Sequence, residues 1–253
     1  MTDAELINKI TQRIKNEQNK QNTHVSLEKK SKIDLLKRRE ETFKIILDKK
    51  VNKKIIARVG LVIDISGSMR KLFKEGVVQD VVERIFPIAK KFDDDELLDM
   101  WVFASSFNRL VQVNEDNFDT FIEKEVLEKK PSCSWGGTEY NPVMRDVIEY
   151  YKDSKLPAFV IFITDGSNSD KTLTKNTLRE ASFYPIFWQY IGIGKEKFDF
   201  LERLDELNGR FIDNANFFKL NDLQEITDDD LYSRLLTEFP EWLKLAKEKN
   251  IIK

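Results

Sequence analysis

The sequence predicts an α/β protein: a doubly wound, mostly parallel sheet with helices on both faces, preceded by a helical extension. Three observations predict this class. Apolar runs recur between amphipathic stretches without polar alternation, as expected for strands covered on both faces. Two of these runs, IIARVGLVID at 55–64 and AFVIFITDG at 158–166, carry an aspartate at the end of the apolar stretch. At 253 residues and 41% hydrophobic content, the chain is long enough to bury one such core.

The elements follow in order. Residues 1–54 read as a mostly helical, polar extension and 55–253 as the α/β domain. In the extension Leu6, Ile10 and Ile14 recur at helical spacing, QNKQNTH suggests a break, and Ile33, Leu36, Phe43, Ile46 and Leu47 share one broad face. The run TFKIILD fits either a helix or a strand. The first domain strand is followed by a helix over 77–92 that contains Pro87, which should kink it. Next come a strand at 97–105, an edge strand at 109–113 and a helix at 116–129. Another helix spans 141–151, with Pro142 suited to its first turn. Beyond the apolar strand at 158–166, helix 171–183 and strand 185–194 complete the repeating pattern. Helix 197–207, a short strand near Arg210–Asp213 and a long helix from Thr227 close it, with Thr227 and Asp230 resembling a capping box.

Composition narrows the function classes. The formal net charge of −2 supplies no global attraction to nucleic acid or to a membrane surface. Over residues 1–58 basic residues outnumber acidic ones two to one, while the remainder is acidic. That asymmetry fits docking of the front on the body, an acidic partner, or a plain solvated helix. One cysteine, Cys133, excludes an internal disulfide, and one histidine, His24, excludes a His-rich metal site or a Ser–His–Asp arrangement. No apolar run approaches the roughly 20 residues of a membrane span, and the first residues lack a secretory apolar segment. A cytoplasmic location is the expectation.

The strand ends carry the chemistry. Asp64, Ser66 and Ser68 alternate at the end of the first domain strand, and Gly67 lets the chain bend so that the hydroxyls converge. Asp165 ends the most apolar strand, and the loop W135-G-G-T138 brings a further hydroxyl. If the first and fourth strands are neighbours where the winding reverses, all three segments meet there. Carboxylates and hydroxyls are hard ligands suited to Mg²⁺, with Mn²⁺ or Ca²⁺ also compatible, rather than zinc. Five such groups leave a coordination position for water or an incoming acid. Trp135 reads as either a rim residue or a packing anchor, and Glu139 as a nearby acid or a helix N-terminal charge. The acidic runs 93–96 and 228–230 lack the pattern of a calcium loop and read as solvated turns or helix starts.

The pattern D-x-S-G-S, a distant threonine and a strand ending T-D-G resembles the metal-ion-dependent adhesion site of von Willebrand factor A (VWA) domains. That likeness implies a Rossmann-like fold, with Ser66, Ser68 and Thr138 as hydroxyl ligands. Asp64 and Asp165 would bind the metal directly or through water. The segments WGGTEYNPVMRDVI, FITDG, PIFWQYIGIG, FLERLDEL and LLTEFPEWL resemble the TerF-like branch over roughly residues 50–245. The resemblance implies a non-enzymatic scaffold in bacterial tellurite, toxic-cation or stress resistance. Its protein partner would supply an Asp or Glu carboxylate to the metal. Met69, Arg70, Trp135, Tyr140 and Asn168 are then expected to frame the contact, with Arg70 pairing to the incoming acid. The alternative is a metal-assisted hydrolase acting on a phosphate ester. No general base or Walker-type loop favours it.

Overall fold

The computed structural model describes residues 3–50, 54–221 and 225–253, with side chains described from residue 27 onward. Its contacts divide the chain into Met1–Arg38 and Arg39–Lys253. The first unit is helical throughout its described backbone. Helix α1 runs without interruption over Asp3–Lys50, so the expected break at QNKQNTH does not occur. Asn, Gln and Thr are only mildly unfavourable in a helix, and no Gly or Pro stands there to end it. The side chains of Leu6, Ile10, Ile14 and His24 lie outside the described ones.

Six strands form one sheet in the order β3-β2-β1-β4-β5-β6. They are β1 (Arg58–Asp64), β2 (Asp99–Phe103), β3 (Phe107–Arg109), β4 (Ala158–Thr164), β5 (Ile186–Ile193) and β6 (Ala215–Leu220). Every pairing is parallel except β2 with β3, where a tight turn reverses the chain. The central strands β1, β2, β4 and β5 are buried along almost their whole length, which is why they read as unbroken apolar runs.

Two apolar layers enclose the sheet. One face carries Val62, Phe103, Phe162 and Trp188 against α4 (Asn141–Tyr151), α5 (Lys171–Ala181) and α6 (Asp199–Asp205). The other sets Phe159 and Phe187 against α3 (Val77–Phe92) and α8 (Phe239–Glu248), through Phe92, Phe239 and Trp242. The last turns of α1 belong to this second layer. Phe43 is fully buried, with ring centroids 5.3 Å from Phe92 and 5.2 Å from Tyr232 of α7 (Asp228–Leu235). Arg39 reinforces the contact by pairing with Asp80 at 2.8 Å and Asp228 at 3.3 Å. Of the three readings left open for the charge asymmetry, docking of the front on the body is the one seen at Arg39. Glu40 runs the other way, pairing with Lys91 at 3.2 Å.

Four further elements differ from expectation. The edge strand begins at Phe107 rather than 109, because the Ala104–Ser106 turn returns the chain at once to pair with β2. The helix expected at 116–129 starts only after a run of turns, and its Glu123–Glu128 part is a π-helix. The strand near Arg210–Asp213 is instead β6; Arg210 uses its guanidinium on the Leu207 and Asp205 carbonyls at the end of α6, which leaves that segment a loop. The terminal helix is two, since α7 ends at Leu235 and Pro240 opens the first turn of α8. Thr227 does cap α7, accepting from the Asp230 amide at 3.2 Å.

Gly192 holds β5 close to the chain that follows it. A Cβ there would meet the Phe198 ring at 2.7 Å. We expect Gly192→Ala to cost about 1–3 kcal/mol by overpacking, read as a lowered urea midpoint. An unchanged midpoint would mean that the Phe198 ring yields freely.

Candidate metal centre

The reversal of winding falls between β1 and β4, and both strands release their chains at the same sheet edge. Asp64 is the last residue of β1, and Asp165 follows the last residue of β4. The condition set by the sequence, that these two strands be neighbours, is met.

A continuous set of hydrogen bonds joins the two loops. The Ser66 amide donates to Asp64 Oδ1 at 2.7 Å, turning the carboxylate toward its own loop. The Ser66 and Ser68 hydroxyls lie 3.1 Å apart, and Ser68 donates to Asp165 Oδ1 at 2.9 Å. Asp64 and Ser66 are buried, Asp165 is half-buried and Ser68 is exposed, so the cluster opens to solvent on the Ser68 side. Burial pushes the Asp64 carboxyl up to about 6, opposed by the Ser66 and Thr164 hydrogen bonds. Asp165 is also raised, by burial first and with a contribution from the charge of Glu196. Two carboxyls held up in this way are an environment that a cation would relieve.

Thr138 arrives on the third loop. The Trp135 amide donates to the Ile65 carbonyl at 2.8 Å and Gly67 to the Gly136 carbonyl at 3.3 Å, stitching that loop to the serine loop. The Ser169 amide donates to the Thr138 carbonyl at 2.9 Å, tying it to the Asp165 loop. Among the described residues, no hydrogen bond links the Thr138 hydroxyl to the other four groups. The Ser66, Ser68 and Asp165 side chains are thus joined directly, Asp64 is tied to them through the Ser66 amide, and Thr138 is brought to their loops through its backbone.

The expected rim is corrected at three positions. Met69 and Tyr140 are fully buried and Asn168 is 3% exposed, so none presents a side chain to a partner. Tyr140 lies under the site, its hydroxyl donating to the Gly166 carbonyl at 2.6 Å and standing 3.2 Å from Thr164 Oγ1. Asn168 donates to Asp170 and Thr174 at 2.6 and 2.9 Å, tying its loop to α5. Arg70 remains exposed, its guanidinium 5.3 Å from the Trp135 ring centroid. Trp135 also packs edge-on against Phe73 at 5.5 Å, so it is both an anchor and the support of the rim. Its φ of 64° places a bulky residue in the left-handed region, held there by the bond to Ile65.

Two supports were not singled out from sequence. Thr164 donates to Asp64 Oδ2 at 2.7 Å. Asp170 accepts from the Tyr140 and Asn141 amides at 3.1 and 2.7 Å, capping α4 from the neighbouring loop. Thr164 could have been found by its position directly before Asp165. Asp170 had no such signal, because its partners lie about 30 residues away. Elsewhere, Asp93, Asp94 and Asp95 cluster closely enough to suggest a cation site. Arg58 already supplies the positive charge there, at 2.7, 3.0 and 2.5 Å, so the acidic run 93–96 is an ion-paired turn. Cys133 is buried and its thiol is pushed up to about 11 by that burial, the opposite of nucleophile activation.

A family model described as the vWA found in the TerF C terminus matches residues 56–252. The chain belongs to the vWA-TerF-like family. It is 47% identical over 224 residues to the uncharacterized protein YcbR of Bacillus subtilis, covering 87% of this chain and 90% of that one. It is also 22% identical over 167 residues to copine family protein 2 of Caenorhabditis elegans, covering 64% of this chain but 2% of the relative. Among solved structures, the SpRpn10 VWA domain superposes with a TM-score of 0.52 at 12% identity, covering 74% of this chain and 96% of that one. Manganese-loaded TRAP protein of Plasmodium vivax superposes with a TM-score of 0.51 at 16% identity, covering 74% of each chain. The chain spans 48% of the mussel byssus protein PTMP1, with a TM-score of 0.56 and 16% identity over 72% of its own length. These structural likenesses establish the VWA fold. Among the described residues, no helix is long and apolar enough to cross a membrane.

Proposed function

We propose that this VWA domain binds a divalent cation, Mg²⁺ or Mn²⁺, and through it the carboxylate of a protein partner. The observation that carries the reading is the oxygen cluster of Asp64, Ser66, Ser68 and Asp165 at the point where the winding reverses. Six oxygens around an ion at about 2.1 Å sit about 3 Å from their neighbours, from right-angle geometry. The Ser66–Ser68 and Ser68–Asp165 spacings of 3.1 and 2.9 Å fit that arrangement. Hydroxyl hydrogens rotate freely, so the same oxygens can turn their lone pairs inward. The manganese carried by TRAP supports the choice of a hard divalent ion. When bound, the ion supplies a positive centre with an exchangeable position. The chain's own groups orient what meets it: Asp64 and Ser66 from the buried side, Ser68 and Asp165 from the open side, and Arg70 above Trp135 at the rim. We extend the reading to a scaffold without turnover, acting in a toxic-cation or stress response of the kind that the TerF name denotes, with the cytoplasm as its setting.

The experiment is affinity capture from the native host in magnesium and in EDTA, followed by titration of the captured partner. Ser68→Ala should weaken binding about tenfold without unfolding the domain, since it removes one exposed ligand and little packing. Replacing the partner's critical acid should match the loss seen in EDTA, and the two losses should not add. Equal affinity in both buffers would sink the mechanism. Magnesium-dependent release of phosphate from esters, abolished in Asp165→Ala, would replace the scaffold with the hydrolase.

A further inference from the structure

A groove of about 340 Å³ opens directly beside the metal centre, with Ser68 and Asp165 forming one of its walls. Its other walls come from elements that the five-ligand pattern does not include: α2 (Arg70–Lys74), the start of α3 and the loop after β5. The floor is aliphatic. Val77 and Ile193 are 5% and 4% exposed, and Leu72 adjoins them. Besides Asp165, the charged lining is Lys71, Glu75 and Glu196. Lys71 reaches Glu75 at 3.8 Å, both side chains largely in solvent, so that pair roughly cancels and holds little. Glu196 is exposed; Lys219 Nζ donates to its backbone carbonyl at 2.9 Å, and among the described residues no hydrogen bond or ion pair engages its carboxylate. Its charge is felt at Asp165.

We propose that this groove receives a basic side chain, Arg or Lys, from the same partner whose carboxylate meets the metal, with Glu196 as its counter-charge. The inference rests on the metal-dependent reading above and specifies the partner's chemistry. A long basic side chain matches this lining in kind: a methylene stem suits the aliphatic Leu72, Val77 and Ile193, and a charged head suits the Glu196 carboxylate. An acidic side chain would face Glu196 with like charge. A purely aliphatic one would crowd Glu196 without pairing it. Because the groove shares Ser68 and Asp165 with the metal centre, the partner must present acid and base within a few residues of each other. This asymmetry orients the partner, since Arg70 stands at the rim with Trp135 and attracts acid rather than base.

The test uses the full-length protein and short immobilised glycine–serine peptides. Each peptide bears one Glu and, one to three residues to either side, Arg, norleucine or a second Glu. In millimolar magnesium, the best Arg peptide should bind about fivefold tighter than its norleucine counterpart, the size expected for a partly exposed ion pair. Glu196→Gln should bring that ratio toward one, and Glu196→Lys should reverse it in favour of the second Glu. Circular dichroism confirms that the exposed-loop variants fold. Magnesium-dependent binding with no preference for Arg, or a preference that survives Glu196→Lys, overturns this inference alone. Peptides that bind equally in magnesium and EDTA, or not at all, overturn the metal-dependent reading and this inference with it.

Discussion

Saturating magnesium or manganese is expected to raise the melting temperature of the protein by about 5–10 °C. At about 100 times Kd, binding to the folded state alone contributes about 2.7 kcal/mol. For a chain of this size, each kcal/mol moves the midpoint by about 2–4 °C. The ligand oxygens come from loops that meet only in the folded sheet, so the unfolded chain should bind negligibly. Asp165→Asn should abolish most of the rise, because it removes one of the two charges that neutralise the ion while keeping the acceptor for Ser68. Asp64→Asn should do the same. It is preferable to alanine, which would strand the Ser66 amide and the Thr164 hydroxyl, both buried beside the missing carboxylate. Scanning calorimetry with and without metal is the measurement. No shift in the wild type at millimolar metal, together with no heat of binding, would remove the metal from the account.

Phe43→Ala is expected to cost about 3–4 kcal/mol, enough to lower the melting temperature by about 10 °C. The ring is fully buried and wedged between Phe92 and Tyr232, so truncation leaves a cavity bounded by α3 and α7. Neither helix can close it easily. Arg39 fixes the same part of α1 to Asp80 and Asp228, and Arg84 ties α3 to Asp228 at 2.7 Å. Exposed Lys44→Ala, one residue along, serves as the control and should change stability by less than about 0.5 kcal/mol. A Phe43→Ala cost below about 1 kcal/mol would show that this end of α1 is dispensable to the core. The front segment would then be free to act as a partner-binding arm.

The layout of the site was legible for a local reason. A candidate ligand at a strand end is specified by where an apolar run stops, and that is visible at Asp64 and Asp165 without any knowledge of the fold. Pro142 and Thr227 were likewise readable, since helix starts depend on residues within one turn. The rim was less legible. Met69, Tyr140 and Asn168 flank ligands in the chain, yet proximity in sequence says nothing about which side of a turn a side chain takes. The break expected at QNKQNTH failed for a related reason: polar composition resembles a loop, but only Gly, Pro or a competing cap removes the helical hydrogen bonds.

By itself, then, the sequence determined the α/β class, the helical front and the candidate oxygen donors, because each depends on periodicity or residue chemistry within a short window. Tertiary structure decided the rest. It placed β1 beside β4, capped α4 with Asp170, held Trp135 in a left-handed conformation beneath Arg70, and brought Glu196 within electrostatic reach of Asp165. Each of these joins residues tens of positions apart. Their meeting is set by strand order and loop packing, which no local pattern encodes.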